Sequence, residues 1–268
     1  MYNELSLDRL CASLAYAMGI EPPAYAAPPA AVLTDYVDEK FGGEKVDRIF
    51  MYNPDAIAQW VYEKYPSLSS LEMSKYAELS VPFCTVMPSV TPVCFGTMYT
   101  GAQPEVHGIR KYEKPVIRLD SIFDALVRAG KKAAIVAFEG GTMSRIFNER
   151  NIDYFTFKSY HEITAKAIEL VLSDEYDFIA VHCSNYDSKM HKFGPESIEA
   201  LSELRHNVLT FASISALIRE RWKDHNTLVG FAMDHGCHAI DSDAGSHGLD
   251  MEEDLNILHL YKAYPAEQ

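Results

Sequence analysis

From residue 46 onward, short β-rich runs alternate with helical stretches, and this alternation constrains the fold more than any other feature. The runs are VDRIFMY, FCTVM, KKAAIVAF, DYFTF, YDFIAVHC and NTLVGFAMD. Between them lie SIFDALVRAG, HEITAKAIELVLS and ESIEALSELRHNVLTFASISALIRERW, whose apolar residues recur at helical spacing. Strand and helix in alternation predict an α/β fold, a doubly wound and mostly parallel sheet with helices on both faces. Ahead of it, LSLDRLCASLAYAMGI and AVLTDYVDEKF read as helices around the Pro/Ala-rich break EPPAYAAPPA. Residues 1–45 are therefore expected to form an N-terminal helical appendage packed on an α/β domain over 46–268.

Open parallel sheets gather ligands at the carboxyl ends of their strands, so polar residues just past each run are the candidates for chemistry. Reading them off gives Asp55, Thr91, Asp187, His191, Asp234 and His235, with His247 in the following GSHG loop. Carboxylate oxygen and imidazole nitrogen suit divalent cations, zinc in particular, and seven ligands suffice for two ions. Asp187 and His191 are four residues apart and share a face if YDSKMH is helical. Asp234 and His235 are adjacent, which would diverge on a helix but can converge in a tight turn after a strand. Each residue taken singly also has a plainer reading as a cap or a solvated loop residue. Thr91 is the sharpest case, because a helix N-cap followed by Pro92 at the first helical position accounts for it without chemistry. His107, His182 and His238 are expected to pack or hydrogen-bond rather than ligate, and Cys94 to be a small buried side chain.

Charge excludes some partners. With 24 Lys and Arg against 38 Asp and Glu, the net charge is −14, which leaves no global basic field for a nucleic-acid polymer. A small phosphorylated substrate stays open, because bound cations invert the field within one cleft. No apolar run approaches the ~18 residues of a membrane span, so no membrane partner is expected. Five cysteines at wide spacing without a CxxC pair, and acidic residues in MYNELSLDRL where a signal peptide needs positive charge, predict a cytoplasmic, reducing compartment. Oligomeric state is not legible.

The order Asp, Thr, Asp-x-x-x-His, Asp-His, His, with its surrounding words, resembles the alkaline phosphatase superfamily, and most of all its type I phosphodiesterase/nucleotide pyrophosphatase branch. The most specific stretch is PSVTPVCFGTMYTGAQPEVHGI (88–109), similar to the branch's Pro-Ser/Thr-x-Thr followed by Thr-Gly-x-x-Pro-x-x-His-Gly-Ile. YDSKMHKFGPES (186–197) is similar to Pro-Asp-x-x-Gly-His-x-x-Gly-Pro-x-Ser, and MDHG and GSHG complete the set. The resemblance covers residues from about 46 to the C-terminus. It implies an alkaline phosphatase-like α/β fold and two divalent metal ions, commonly zinc, although manganese or iron suits the same donors. It further implies that Thr91 is both nucleophile and metal ligand, sharing one ion with Asp55, Asp234 and His235. Asp187, His191 and His247 would hold the other.

The chemistry so implied is in-line displacement at phosphorus through a covalent phospho-threonine, with helix amides after Thr91 assisting if they face the cleft. Two departures stand out: NPDAIA replaces the branch's Asp-Gly around Asp55, and Cys94 stands three residues after Thr91, where the branch has an Asn that holds a phosphate oxygen. Only 95 residues separate Thr91 from Asp187, leaving little room for substrate-selecting insertions and predicting an open site. The rival readings are a phosphomonoesterase or phosphonate hydrolase of the same superfamily, or a catalytically silent metal-binding pseudoenzyme. Against the last stands the complete ligand set.

Overall fold

The apolar runs of the sequence become the buried middle of one sheet. The computed structural model describes residues 1–240 and 243–267, so the expected α/β domain is described apart from 241, 242 and 268. Its strands are β1 (Leu5–Ser6), β2 (Arg48–Pro54), β3 (Leu79–Cys84), β4 (Ala133–Phe138), β5 (Asp153–Phe157), β6 (Phe178–Cys183), β7 (Thr227–Ala232), β8 (His238–Ile240), β9 (Ala244–Ser246) and β10 (Asn256–Tyr264). The helices are α1 (Arg9–Met18), α2 (Ala31–Phe41), α3 (Gln59–Lys64), α4 (Ser70–Met73), α5 (Thr91–Thr100) and α6 (Pro104–His107). They continue with α7 (Ile122–Arg128), α8 (Thr142–Ile146), α9 (Tyr160–Ser173), α10 (Asn185–Phe193), α11 (Ile198–Arg221) and α12 (Glu252–Leu255).

Eight strands form one sheet in the order β1-β3-β10-β7-β2-β6-β4-β5, and β8 pairs with β9 in a separate ribbon. Every pairing in the large sheet is parallel except the two made by β10. The sheet is thus the mostly parallel, helix-covered one expected. Strands β6 and β7 are buried at every residue, as continuous Ile/Val/Phe runs covered on both faces should be, whereas β5 near the edge keeps exposed positions.

Strand β10 was not legible as a strand, because His259 sits in the middle of its apolar run. In the fold that ring is buried and bonded, Nε2 to the Met233 carbonyl at 2.7 Å and Nδ1 to the Tyr261 hydroxyl at 3.0 Å. Strand β3 starts four residues earlier than FCTVM suggested, and Pro82 lies within it. Proline is tolerated because β1 covers the outer side of β3 only at Phe83 and Cys84, leaving Pro82 on an open edge.

Residues 1–45 contain the two helices expected and, beyond them, the short strand β1, which joins the main sheet. They pack on the end of α5 remote from Thr91. The Cys11 thiol meets the Tyr99 carbonyl at 3.4 Å, and the Ala27 amide donates to the Gly101 carbonyl at 2.8 Å. The N-terminal segment therefore braces α5 from behind.

Candidate active site

Helix α5 starts at Thr91 itself, with Val90 as N-cap, Pro92 in its first turn and no side-chain cap bond. The capping account of Thr91 therefore fails. Its hydroxyl lies 3.4 Å from Asp55 Oδ1 and 3.3 Å from His235 Nε2. The Val93 and Cys94 amides both donate to the Val90 carbonyl, so these helix amides are already used rather than offered to the cleft.

Seven candidate residues converge at the carboxyl ends of β2, β6 and β7. Six fall into two groups able to hold a cation, Asp55/Asp234/His235 and Asp187/His191/His247, each with ligand atoms within 4.8 Å of one another. In the first, His235 Nε2 lies 3.4 Å from both Asp55 Oδ1 and Asp234 Oδ2. In the second, His191 Nε2 lies 3.2 Å from Asp187 Oδ1 and 3.1 Å from His247 Nε2. The groups adjoin through the His235 and His247 rings, whose centroids are 4.1 Å apart. Asp187 and His191 share one face of α10, and Asp234 and His235 converge in the turn after β7, as their spacing allowed.

The backbone aims these ligands. His191 Nδ1 faces the Gly245 carbonyl at 3.0 Å, His247 Nδ1 the Ser89 carbonyl at 2.9 Å, and His235 Nδ1 the Gly236 carbonyl at 2.9 Å. A carbonyl only accepts, so each Nδ1 carries the proton and each Nε2 lone pair can face a cation. Asp234 Oδ1 accepts the Ala56 and His235 amides at 3.1 and 2.9 Å, which leaves Oδ2 without a partner, and Asp187 Oδ1 is likewise buried and unpartnered. One orphaned carboxylate oxygen per group, turned toward imidazole lone pairs, fits a cation in each.

Burial and mutual charge also shift the protonation of these groups. Burial, then the charge of Asp234, pushes the Asp55 carboxyl up to about 6, and burial does the same to Asp234. His235 is pushed down to about 4 by burial. Burial opposes ionisation of Asp187, yet the His191 and His247 imidazoles hold it well below the usual carboxylate range. Burial likewise opposes the His247 cation, but Asp187 raises it to about 9, and Asp187 also raises His191.

Both sequence departures have a structural answer. Ala56, where the branch has Gly, adopts a left-handed φ of 62°, at a cost of about 1–2 kcal/mol, and its amide holds Asp234. Cys94 is fully buried inside α5, with burial pushing its thiol well above the ordinary value. A buried thiol offers no amide donor to a phosphate oxygen, so the branch's Asn role is not met by the residue at position 94. The other histidines behave as expected: His107 bonds Thr97 at 3.1 Å, His238 bonds Asp254 at 2.7 Å and His182 bonds Asp55 at 3.1 Å. Sequence reasoning missed Ser89 and Gly245, whose contribution is a carbonyl oxygen and so carries no side-chain signal. It also left unexplained the motif glycines. A Cβ on Gly236 would lie 2.0 Å from the Glu253 carbonyl oxygen, and one on Gly245 2.5 Å from Met190 Sδ.

A parallel α/β sheet carrying two adjoining three-ligand groups and a buried threonine hydroxyl defines the class: a doubly wound protein with a candidate two-cation centre. Within that class, the chain belongs to the type I phosphodiesterase/nucleotide pyrophosphatase family, which it matches over residues 52–266, in the alkaline phosphatase superfamily. No curated protein matches it significantly. Among solved structures it is similar to murine ectonucleotide pyrophosphatase/phosphodiesterase 5, described as an inactive threonine-to-alanine variant in complex with AMP, at 17% identity and a TM-score of 0.57. That alignment covers 72% of this chain and 57% of the murine protein, so the chain spans little more than half its length. Phosphonoacetate hydrolase from Sinorhizobium meliloti, in complex with phosphonoformate, is 17% identical over 76% of this chain and 61% of its own, with a TM-score of 0.54. The C-terminal periplasmic domain of EptC from Escherichia coli, in complex with Zn, is 14% identical over 84% of this chain and 74% of its own, with a TM-score of 0.52. At these identities the likeness is one of fold.

Proposed function

We propose that this protein is a two-metal hydrolase of phosphoric esters, of phosphodiesterase/nucleotide pyrophosphatase type, acting on a small phosphorylated substrate through Thr91. One observation carries the reading: the Thr91 hydroxyl lies against one of two adjoining groups that each hold an unpartnered carboxylate oxygen. Asp55, Asp234, His235 and Thr91 would hold one ion, and Asp187, His191 and His247 the other, with zinc favoured by the Asp/His donor set. When bound, such ions neutralise charge on the phosphoryl oxygens and favour ionisation of the hydroxyl they touch. Thr91 Oγ1 attacks phosphorus in line, and as the bond to the leaving oxygen breaks that oxygen departs as an alcohol or phosphate with the proton Thr91 gives up. Water then cleaves the phosphoryl-threonine, releasing from a diester the phosphate monoester and returning the hydroxyl. Asp55 and His235 orient Thr91 Oγ1 throughout. The AMP and phosphonoformate complexes of the two neighbours support a small phosphorylated ligand. Five free cysteines support a reducing compartment, and no helix among the described residues is long and apolar enough to cross a membrane.

The test is hydrolysis of a chromogenic phosphate diester, monoester and phosphonate by zinc-loaded protein, with Thr91→Ala as control. Diester cleavage lost by at least ~10³-fold in the variant is expected. Because Thr91 makes no cap, the variant should melt within about 1 kcal/mol of wild type. Monoester or phosphonate preference would move the protein to the rival branches, and undiminished turnover by Thr91→Ala would refute the mechanism.

A further inference from the structure

His182 belongs to neither ligand group, yet it touches a carboxylate of one. Its ring is 3% exposed, lies on β6 opposite Asn53 of β2, and packs edge-on against Phe95 at 4.7 Å. Nε2 stands 3.1 Å from Asp55 Oδ2, while Nδ1 is buried without a partner. These contacts settle the tautomer. A proton on Nδ1 would bury an unpaired donor and set the Nε2 lone pair against a carboxylate, so the proton is on Nε2 and is donated to Asp55. His182 is thus the opposite tautomer to His191, His235 and His247, which bare Nε2 toward the site. The donation also divides the work of Asp55: Oδ2 is held by His182, and Oδ1 is left facing Thr91 Oγ1 and His235 Nε2, each at 3.4 Å. The Asp55 amide bonds the Cys183 carbonyl at 3.0 Å, so the same strand pair fixes both partners.

We infer that His182 is a positioning residue, which locks the Asp55 carboxylate so that a single oxygen is presented to Thr91 and to a cation held with Asp234 and His235. This rests on the proposed cation site. Without the Nε2 donor, Asp55 is free to rotate, and its affinity contribution falls as it does when a ligand's outer hydrogen bond is removed, typically 10–100-fold.

The experiment is calorimetric titration of metal-stripped protein with zinc, alongside a metal-free melting curve, for wild type, His182→Phe and His182→Gln. Wild type should take up two zinc ions per chain. His182→Phe, which keeps a ring against Phe95 but donates nothing, should bind one ion as wild type does and the other roughly 10–100-fold more weakly. His182→Gln, which retains an N–H donor, should recover most of the loss. If the phenylalanine variant fails to fold, His182→Met is read in the same way. Two wild-type sites in His182→Phe, or equal weakening of both sites with a lowered metal-free melting temperature, overturns the inference alone. A wild-type protein that binds no zinc overturns the cation site itself.

Discussion

In metal-free protein His247 should contribute a stability that is lost as pH rises from 6.5 toward 9. Its imidazole is raised from 6.5 to about 9, chiefly by Asp187 against the opposing pull of burial. Such a displacement corresponds to roughly 3 kcal/mol favouring the protonated, folded form. Because the folded value lies above the unfolded one, this contribution is complete below 6.5 and is lost as pH climbs through about 9, with about half gone by pH 8. For a chain of this size each kcal/mol moves the melting temperature by roughly 2–4 °C, so the His247 contribution by itself lowers it by about 3–6 °C between pH 6.5 and pH 8. His191, raised by the same carboxylate, acts in the same direction, whereas His107, His235 and His259, pushed down to about 4 by burial, gain stability as pH rises and oppose it. Stopping at pH 8 keeps the buried thiols, which ionise near 8.5 once unfolded, from contributing much. The assay is calorimetry of chelator-treated protein across this window, with His247→Gln as the reference. The slope of the variant should differ from that of wild type by this contribution, its melting temperature falling about 3–6 °C less between pH 6.5 and pH 8. Zinc should reverse the His247 contribution, since the ion competes with the His247 proton and its stabilisation therefore grows with pH. An unchanged pH slope in His247→Gln refutes the reasoning.

Two further outcomes follow from packing near the site. Gly245→Ala places a methyl group 2.5 Å from Met190 Sδ and 2.9 Å from its carbonyl oxygen, so β9 must move off α10. The variant should lose roughly 1–3 kcal/mol and, with the Gly245 carbonyl displaced from His191, one of two zinc ions, as read by melting and metal analysis. Cys94→Asn restores the residue usual in the branch, but into a fully buried position. It should cost roughly 1–3 kcal/mol, as read by thermal melting.

Much of this protein was legible before folding. The alternation of β-rich and helical runs specified a helix-covered parallel sheet, because each run must bury both faces. Polar residues just past those runs named all seven candidate ligands, since the carboxyl ends of parallel strands face one crevice. Spacing alone placed Asp187 and His191 on a shared helix face. What the order of residues left open was decided by contacts between distant segments. Thr91 read equally well as a cap, and only the approach of Asp55 and His235, 36 and 144 residues away, shows that its hydroxyl turns from the helix to the site. Cys94 was expected to be a small buried side chain, and its packing inside α5 makes it one. Strand β10 and the pairing of β1 with β3 depend on partners far along the chain, as does the bond between His182 and Asp55. Local propensity and periodicity act over a few residues, so they determine elements and the loops between them. Which oxygen or nitrogen faces which, and with what proton, is set only where the packed sheet brings those loops within hydrogen-bonding distance.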